Sequence, residues 1–391
     1  MIQTGGRRGG RMARGAVVLG SVVTAATLLA GCDSEEATRA EGSGSSFARL
    51  AFDAWCEESE LCTYRPVGSG TGIDEMIAQD NEFAASDVPL TPDELQDVVA
   101  GSGDVAPDGA GVVQLPALAG AVTLPTNISG IDYDAGRPRF TAATIAKIFS
   151  GRITTWDAPE IAAENPGLAL PDSEIALCVR EDSSGTSAVF TQFLAGVDPG
   201  FADTVGASKR PDWPASADVV ERPRNGGVID CVRDRDNAIG YADLGDVVTQ
   251  LGDGRPPDEI NQLAEVGVER DGRVEWVAPT IASITLAGAV DVPGGTPLTE
   301  FGERLLDSGT PGAYPITATT FILLRERYSD PAACATVVGT ARWAFSAKGQ
   351  QSLADSYYAP ISPEIRARAL AEVGAVTDAD GAACGEDGPP E

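Results

Sequence analysis

The chain has 391 residues, of which 43% are hydrophobic, and it carries 58 acidic side chains against 28 basic ones. The formal net charge of −30 argues against nucleic acid as a partner. Histidine is absent, which excludes imidazole-based catalysis and histidine metal ligands. The hydrophobic content favours a folded protein with substantial cores over a disordered chain.

The first 31 residues have the layout of a bacterial signal sequence. Four arginines precede an apolar run over residues 16–30, which is short for a membrane span. The run ends in Leu29-Ala30-Gly31-Cys32, which resembles a lipobox and predicts lipidation of Cys32. An ordinary signal peptide with a chance cysteine is the alternative. We predict a signal peptide over 1–31 and a polar tether over 32–40.

Strand-like and helix-like segments alternate along the rest of the chain. In the first part of the chain, the pattern predicts a helix over 45–55; a strand, a glycine-rich turn and a helix together over 62–79; a strand that ends near 87; and apolar strands over 111–128. In the middle it predicts helical segments over 141–171, a strand over 174–182 and a helix over 183–197. It then predicts a helix and a strand together over 226–244, a strand over 314–326 and two closing helices. This alternation predicts an α/β protein with largely parallel sheets.

Three predicted helices begin with the same chemistry. Their starts are Ser45-Ser46, Gly68-Ser69-Gly70-Thr71-Gly72 and Ser184-Gly185-Thr186-Ser187. Each start offers free backbone N–H groups, a hydroxyl and the positive end of a helix dipole, and glycine allows close approach of a ligand. A single start of this kind is usually only a capped helix. Three of them in one chain favour a shared anion site.

Two charged residues sharpen this hypothesis. Arg180 ends the strand before the third start, where its guanidinium could clamp a tetrahedral oxyanion and Asp182 could hold it in place. The alternative is an ordinary surface ion pair. Asp87 would repel a bare anion but could accept a hydrogen bond from the O–H group of hydrogen or dihydrogen phosphate, and it would thereby act against sulfate, which has no such group at neutral pH. Its alternative role is to cap a turn.

At these positions the sequence resembles the phosphate-binding protein family of high-affinity phosphate ABC transporters. The resemblance runs in order from Gly42 to the C-terminal helices and rests on seven segments. These segments are GSGSSF, GSGTGI, EFAASDVPL, IFSGRITTWDAPEIAAENPGLALP, VREDSSGTSAVFTQFL, GGVIDCVRDRDNAIGYAD and YPITATTFILL.

The resemblance implies a two-lobed periplasmic binding protein of type II, with a mixed, mostly parallel sheet in each lobe and the ligand in the cleft. It implies a first lobe over 41–124 and 317–391, and a second lobe over 125–316. The implied phosphate contacts are Ser46 (usually threonine in the family), Phe47 through its N–H, Ser69, Asp87, Arg180, Ser184, Gly185 through its N–H and Thr186, with Asp182 as the partner of Arg180.

Six cysteines remain besides Cys32, and an even number in an exported chain suggests disulfides. No C-x-x-C pair occurs, which argues against zinc. Under the implied lobe limits, Cys178 and Cys231 are the only cysteines of the second lobe and would pair with each other. The first lobe allows three pairings, of which Cys56–Cys62 with Cys334–Cys384 is preferred.

The resemblance therefore implies an extracytoplasmic lipoprotein that captures inorganic phosphate and delivers it to membrane permease subunits. The chain would be a monomer without a cofactor, tied through Cys32 to the outer face of the cell membrane or within the periplasm. Three alternatives stay open: a phosphatase with Ser184 or Thr186 as nucleophile, a receptor for another oxyanion, and a phosphate sensor without a transporter. The missing histidine and the lack of a G-x-S-x-G segment count against the phosphatase.

Overall fold

The computed structural model of the protein describes residues 39–101, 111–253 and 255–385. The predicted signal peptide, the lipidation of Cys32 and most of the tether lie outside these residues. In the part of the chain that is described, no helix is both long enough and apolar enough to cross a bilayer.

Strands and helices alternate along the described ranges, as the sequence pattern predicts. The strands are β1 (Ala40–Gly44), β2 (Cys62–Arg65), β3 (Phe83–Ser86), β4 (Val112–Thr123), β5 (Thr126–Asn127), β6 (Arg139–Thr141), β7 (Ala176–Arg180), β8 (Asp218–Arg222), β9 (Ala238–Gly240), β10 (Ala242–Asp243), β11 (Glu265–Arg270), β12 (Arg273–Val277), β13 (Thr317–Arg325), β14 (Arg327–Tyr328) and β15 (Thr377–Asp378). The helices are α1 (Arg49–Ser59), α2 (Ser69–Ala78), α3 (Pro92–Gly101), α4 (Ala142–Phe149), α5 (Pro159–Glu164), α6 (Gly185–Val197), α7 (Pro199–Thr204), α8 (Arg224–Asp234), α9 (Leu244–Leu251), α10 (Ile281–Gly288), α11 (Phe301–Leu306), α12 (Pro331–Ala344), α13 (Ala347–Gln351) and α14 (Pro363–Val373).

The larger sheet has six strands in the order β10-β4-β13-β3-β1-β2. β1 pairs in parallel with β2 and β3, whereas β13 lies antiparallel between β3 and β4. The chain leaves this sheet through β4 and returns through β13, so Thr317 at the start of β13 lies opposite Ala121 near the end of β4. Since β10 is also antiparallel to β4, antiparallel pairs outnumber parallel ones by three to two, and the expectation of a mostly parallel sheet is wrong for this sheet.

The second lobe is centred on a four-stranded sheet in the order β5-β9-β7-β8. β7 pairs in parallel with β8 and β9, and α8 packs against all three strands. The chain enters this sheet at Leu124 and Pro125, between β4 and β5. A further three-stranded sheet has the order β12-β11-β6.

Several elements that follow β9 and precede β13 in the sequence pack on the larger sheet. β10 pairs with the end of β4, and α9 and α10 contact β4. α11 packs against β13. These elements fall inside the range 125–316 that the resemblance assigns to the second lobe, and the lobe limits stay a prediction.

Three disulfides tie the described residues together. They join Cys56 to Cys62, Cys178 to Cys231 and Cys334 to Cys384. These are the pairs that the sequence analysis prefers. The Cys178–Cys231 bridge links β7, which ends in Arg180, to α8. The strand that carries the arginine is therefore covalently tied to the helix that packs on it.

Candidate functional site

The starts of α2 and α6 meet between the two sheets. The Gly70 N–H in α2 donates a hydrogen bond to the Ser183 carbonyl before α6, with an N–O distance of 3.1 Å. Gly185, the first residue of α6, lies so close to the other wall that a Cβ there would stand 2.4 Å from Ser69 Oγ and 2.7 Å from Asp87 Oδ2. Only glycine fits this contact, and the structure has the two lobes closed on each other at this point.

Asp87 is the acidic centre of the site. It is 2% exposed and follows β3. Its Oδ1 accepts hydrogen bonds from Ser45 Oγ at 2.5 Å and from Thr320 Oγ1 at 2.8 Å. Burial raises the pKa of Asp87 to about 6, although these hydroxyls and the charge of Arg180 favour the ionised form. The carboxylate is thus buried and well hydrogen-bonded, and it titrates nearer to neutral pH than an exposed aspartate.

Arg180 is the basic centre of the site and is 3% exposed. Its Nε and Nη2 donate to the two carboxylate oxygens of Asp182, at 2.9 and 2.5 Å, in the bidentate geometry of a strong ion pair. Its Nη1 donates to Asn225 Oδ1 at 3.1 Å. Burial raises the pKa of Asp182, but the hydrogen bonds and the charge of Arg180 lower it more, so that it lies below its ordinary value. The guanidinium is therefore held on two sides.

Thr186 connects the two centres. Its hydroxyl accepts a hydrogen bond from Arg180 Nη1 and donates one to Asp87 Oδ2, both at 3.5 Å. Both contacts are at the long limit of hydrogen bonding. They nevertheless show that residues 87, 180 and 186, predicted separately from the sequence, form one buried cluster with contributions from both lobes.

An aromatic cluster holds the wall that carries Arg180. The Tyr241 hydroxyl accepts a hydrogen bond from the Arg180 N–H at 3.2 Å and shares one with Ser187 Oγ at 2.7 Å. The Tyr241 ring stacks on Phe190 of α6, with ring centroids 4.5 Å apart, and Phe149 packs edge-on against Phe190. Burial raises the pKa of Tyr241 to about 12, so its hydroxyl stays protonated at neutral pH. Arg180 and the start of α6 are thereby fixed to one core.

The start of the first helix differs from the prediction. α1 begins at Arg49 rather than at Ser45-Ser46, and it has no side-chain cap. Ser45 Oγ instead accepts from the Phe47 N–H at 3.0 Å while it donates to Asp87. The Ser45 hydroxyl therefore supports the carboxylate as a donor, and the turn that precedes α1 as an acceptor.

The other predicted contacts lie on the same two walls. Ser46 is 4% exposed, and its hydroxyl has no hydrogen-bond partner among the described residues. Ser69 Oγ accepts from the Asp87 N–H at 3.4 Å. Ser184 caps α6 by accepting from the Ser187 N–H at 3.1 Å, which leaves its hydroxyl hydrogen for another acceptor. The role of each of these residues toward a ligand stays a prediction.

Comparison with known proteins places the chain in a family. A model described as a PBP superfamily domain matches residues 33–347. The chain belongs to the PBP superfamily.

Relatives of this PBP superfamily chain have phosphate-binding names. The chain is 28% identical over 335 residues to "Phosphate-binding protein PstS" of Xylella fastidiosa (strain 9a5c). The aligned region covers 84% of this chain and 83% of the relative. It is 28% identical over 341 residues to the protein of the same name from Haemophilus influenzae, with 84% and 91% covered. The predicted resemblance is therefore confirmed.

A solved structure supports the fold. The high-affinity periplasmic phosphate-binding protein PfluDING, bound with phosphate, superposes with a TM-score of 0.67 at 20% identity. The match covers 85% of this chain and 93% of the other. Together with the two sheets described above, it confirms the predicted two-lobed α/β fold of type II.

Three supporting contacts of the site were missed in the sequence. Thr320 contacts Asp87, and Asn225 contacts Arg180; Ser45 is predicted as part of a polar helix start of the anion site, but not as a partner of Asp87. Asn225 precedes Gly226-Gly227 at the start of α8, and that start could have been included as a fourth polar helix start. Thr320 is one of several threonines on β13, and nothing in the local sequence distinguishes it.

Proposed function

We propose that this PBP superfamily protein captures inorganic phosphate in a protonated form between its lobes and delivers it to an ABC-type permease. The observation that carries the proposal is the buried cluster in which Thr186 links Arg180 of one lobe to Asp87 of the other. A guanidinium binds tetrahedral oxyanions well. A buried carboxylate beside it suits an anion that brings its own proton, as HPO₄²⁻ and H₂PO₄⁻ do. The names of the relatives support the same ligand.

Donors for the remaining phosphate oxygens are available on both walls. Buried polar groups are nearly always hydrogen-bonded, so the unpartnered hydroxyl of Ser46 indicates a missing acceptor. The Ser184 hydroxyl and the N–H groups at the start of α6 add donors, and the dipole of α6 favours negative charge there. We assign the phosphate contacts to the eight residues predicted from the sequence, with Asp182 holding Arg180.

The wider setting is also proposed. The polar tether and the lipobox-like Leu29–Cys32 support an exported lipoprotein anchored through Cys32 at the outer face of the cell membrane or in the periplasm. The partners would be permease subunits in that membrane, and the protein would act as a monomer. The lobes would be divided at residues 124/125 and 316/317.

Calorimetric titration of the purified, exported protein tests the proposal. We expect tight binding of one phosphate ion per chain, and binding of arsenate because it carries a comparable proton. We expect sulfate to bind far more weakly. Equal binding of sulfate would contradict the ligand assignment, and release of phosphate from a generic phosphoester would support the phosphatase alternative.

A further inference from the structure

A groove of about 450 Å³ opens beside the buried site. Ser46 and Arg49 line it from the first lobe, and Arg222 and Arg224 line it from the second. The Arg224 N–H donates to Asp182 Oδ1 at 2.9 Å, and Asp182 in turn holds Arg180. Asp182 therefore links Arg224 of the groove to the guanidinium of Arg180 in the buried site.

The charges of the groove differ from those of the chain as a whole. Arg222 and Arg224 are exposed, and neither forms an ion pair within the described residues. The two carboxylates that line the groove are both paired, Asp230 with Arg233 at 2.7 Å and Asp246 with Arg49. The charged side chains that line the groove, three arginines (49, 222 and 224) and two aspartates (230 and 246), thus sum to a net charge of +1, in a chain of net charge −30.

The backbone of the groove adds to this positive character. α8 is 11 residues long and begins in the groove after Pro223; its first N–H, that of Arg224, is bonded to Asp182, while the N–H groups of Asn225 and Gly226 have no side-chain acceptor among the described residues. Arg224 has a φ of +59°, a left-handed conformation that is unfavourable for a non-glycine residue, and the bond to Asp182 holds it there. Ser46, with its buried unpartnered hydroxyl, lines the groove, and it directly follows Ser45, whose hydroxyl contacts Asp87 of the buried site.

We propose that the groove is an outer docking site, where the incoming oxyanion is held by Arg222 and Arg224 before it enters the buried site past Ser46. This inference rests on the proposed function, since it takes phosphate as the ion. An acidic protein repels an anion at long range, and a local positive cleft can raise the association rate by about 10- to 1,000-fold. The arginines would thus act on the rate of capture.

Rapid-mixing measurements with radiolabelled inorganic phosphate test this role. The variant R222Q/R224Q is compared with R273Q/R366Q, which loses the same charge at two arginines outside the groove. At low salt we expect the groove variant to associate at least about fivefold more slowly than the control, with the dissociation rate changed less than twofold. Its association rate should also depend less on salt.

Three results would overturn the docking site. They are equal association rates in the groove variant and the control, a change confined to the dissociation rate, and failure of the charge-preserving R222K/R224K variant to restore most of the rate. Unchanged melting temperatures in all variants establish that they fold. If the wild-type protein takes up no phosphate at all, the proposed function itself fails, and that result is distinct from the other three.

Discussion

Asp87 and Arg180 carry opposite charges in the same buried site, but their surroundings differ. Arg180 has a carboxylate partner in bidentate contact, and an amide on its other side. Asp87 is surrounded by the hydroxyls of Ser45, Thr320 and Thr186, none of which carries charge. One wall is therefore an ion pair that is neutral as a whole, while the other keeps an uncompensated acid.

This difference shows how the site can select its ligand. The wall of Arg180 supplies fixed donors without a large net positive charge, so it would accept any tetrahedral oxyanion of the right size. Asp87 adds the discrimination, because an ionised carboxylate accepts a hydrogen bond from a ligand that carries an O–H group and repels an anion that carries none. In this account, the affinity for phosphate depends mainly on the wall of Arg180, and the selectivity against sulfate depends on Asp87.

The largest loss of phosphate affinity is expected when Arg180 is replaced. Arg180→Ala removes the donors and leaves the partly buried carboxylate of Asp182 without its partner, which disrupts this wall of the site. Phosphate affinity should fall by about 100-fold or more, as measured by calorimetry. Arg152→Ala, which breaks an exposed ion pair with Asp198, is the matched control and should bind normally. Unchanged affinity in Arg180→Ala would remove this residue from the site.

The affinity for sulfate should depend on pH, because Asp87 titrates. Because the pKa of Asp87 is raised to about 6, the carboxylate takes up a proton as the pH falls through 6 and can then donate a hydrogen bond to sulfate. From pH 8 to pH 5, sulfate affinity should rise by at least about tenfold, since protonation changes tenfold per pH unit. Competition titrations measure this change. A pH-independent sulfate affinity would show that the charge of Asp87 does not control exclusion.

Asn225 should have a smaller effect, because it acts through Arg180. Asn225→Ala removes the acceptor for Nη1 and should weaken phosphate binding by about tenfold, which corresponds to roughly 1.4 kcal/mol. Asn225→Asp keeps an acceptor and should retain more of the affinity than the alanine variant. If both variants bind as tightly as the wild type, Asp182 alone positions the guanidinium.

The smallest effect is expected at the edge of the closed cleft. Lys209 of the second lobe forms an ion pair with Glu94 of α3 at 2.5 Å, and both side chains are partly exposed. Glu94→Gln should speed phosphate release about two- to fivefold, in line with about 0.5–1 kcal/mol for such a pair. Glu58→Gln breaks the exposed pair with Lys348 within the first lobe and serves as control. Equal release rates in both variants would exclude a role in closure.

The parts of the site that could be predicted lie in continuous segments. Arg180, Asp182 and Thr186 sit within seven residues, and their contacts to one another follow from a strand that runs into a helix. The alternation of strands and helices likewise gives the α/β class. These features depend on local geometry, which the sequence pattern expresses directly.

The supporting contacts could not be predicted, because the fold brings them from distant segments. Thr320 reaches Asp87 only because β13 returns beside β3, with Phe321 opposite Ser86. The same return makes the larger sheet mixed. Ser45 looks like a helix cap in the sequence, whereas in the structure its hydroxyl donates to Asp87 and α1 begins only at Arg49.

The most direct test of the account is the ratio of phosphate to sulfate affinity in the wild type and in Asp87→Asn, measured at pH 8 by calorimetric competition. The amide cannot repel sulfate as a carboxylate does, and it retains nearly the same shape. We expect the variant to bind phosphate about 10- to 100-fold more weakly, from roughly 1–3 kcal/mol, and its preference over sulfate to narrow at least tenfold. A preference that stays as large as in the wild type would contradict the claim that Asp87 selects a protonated anion.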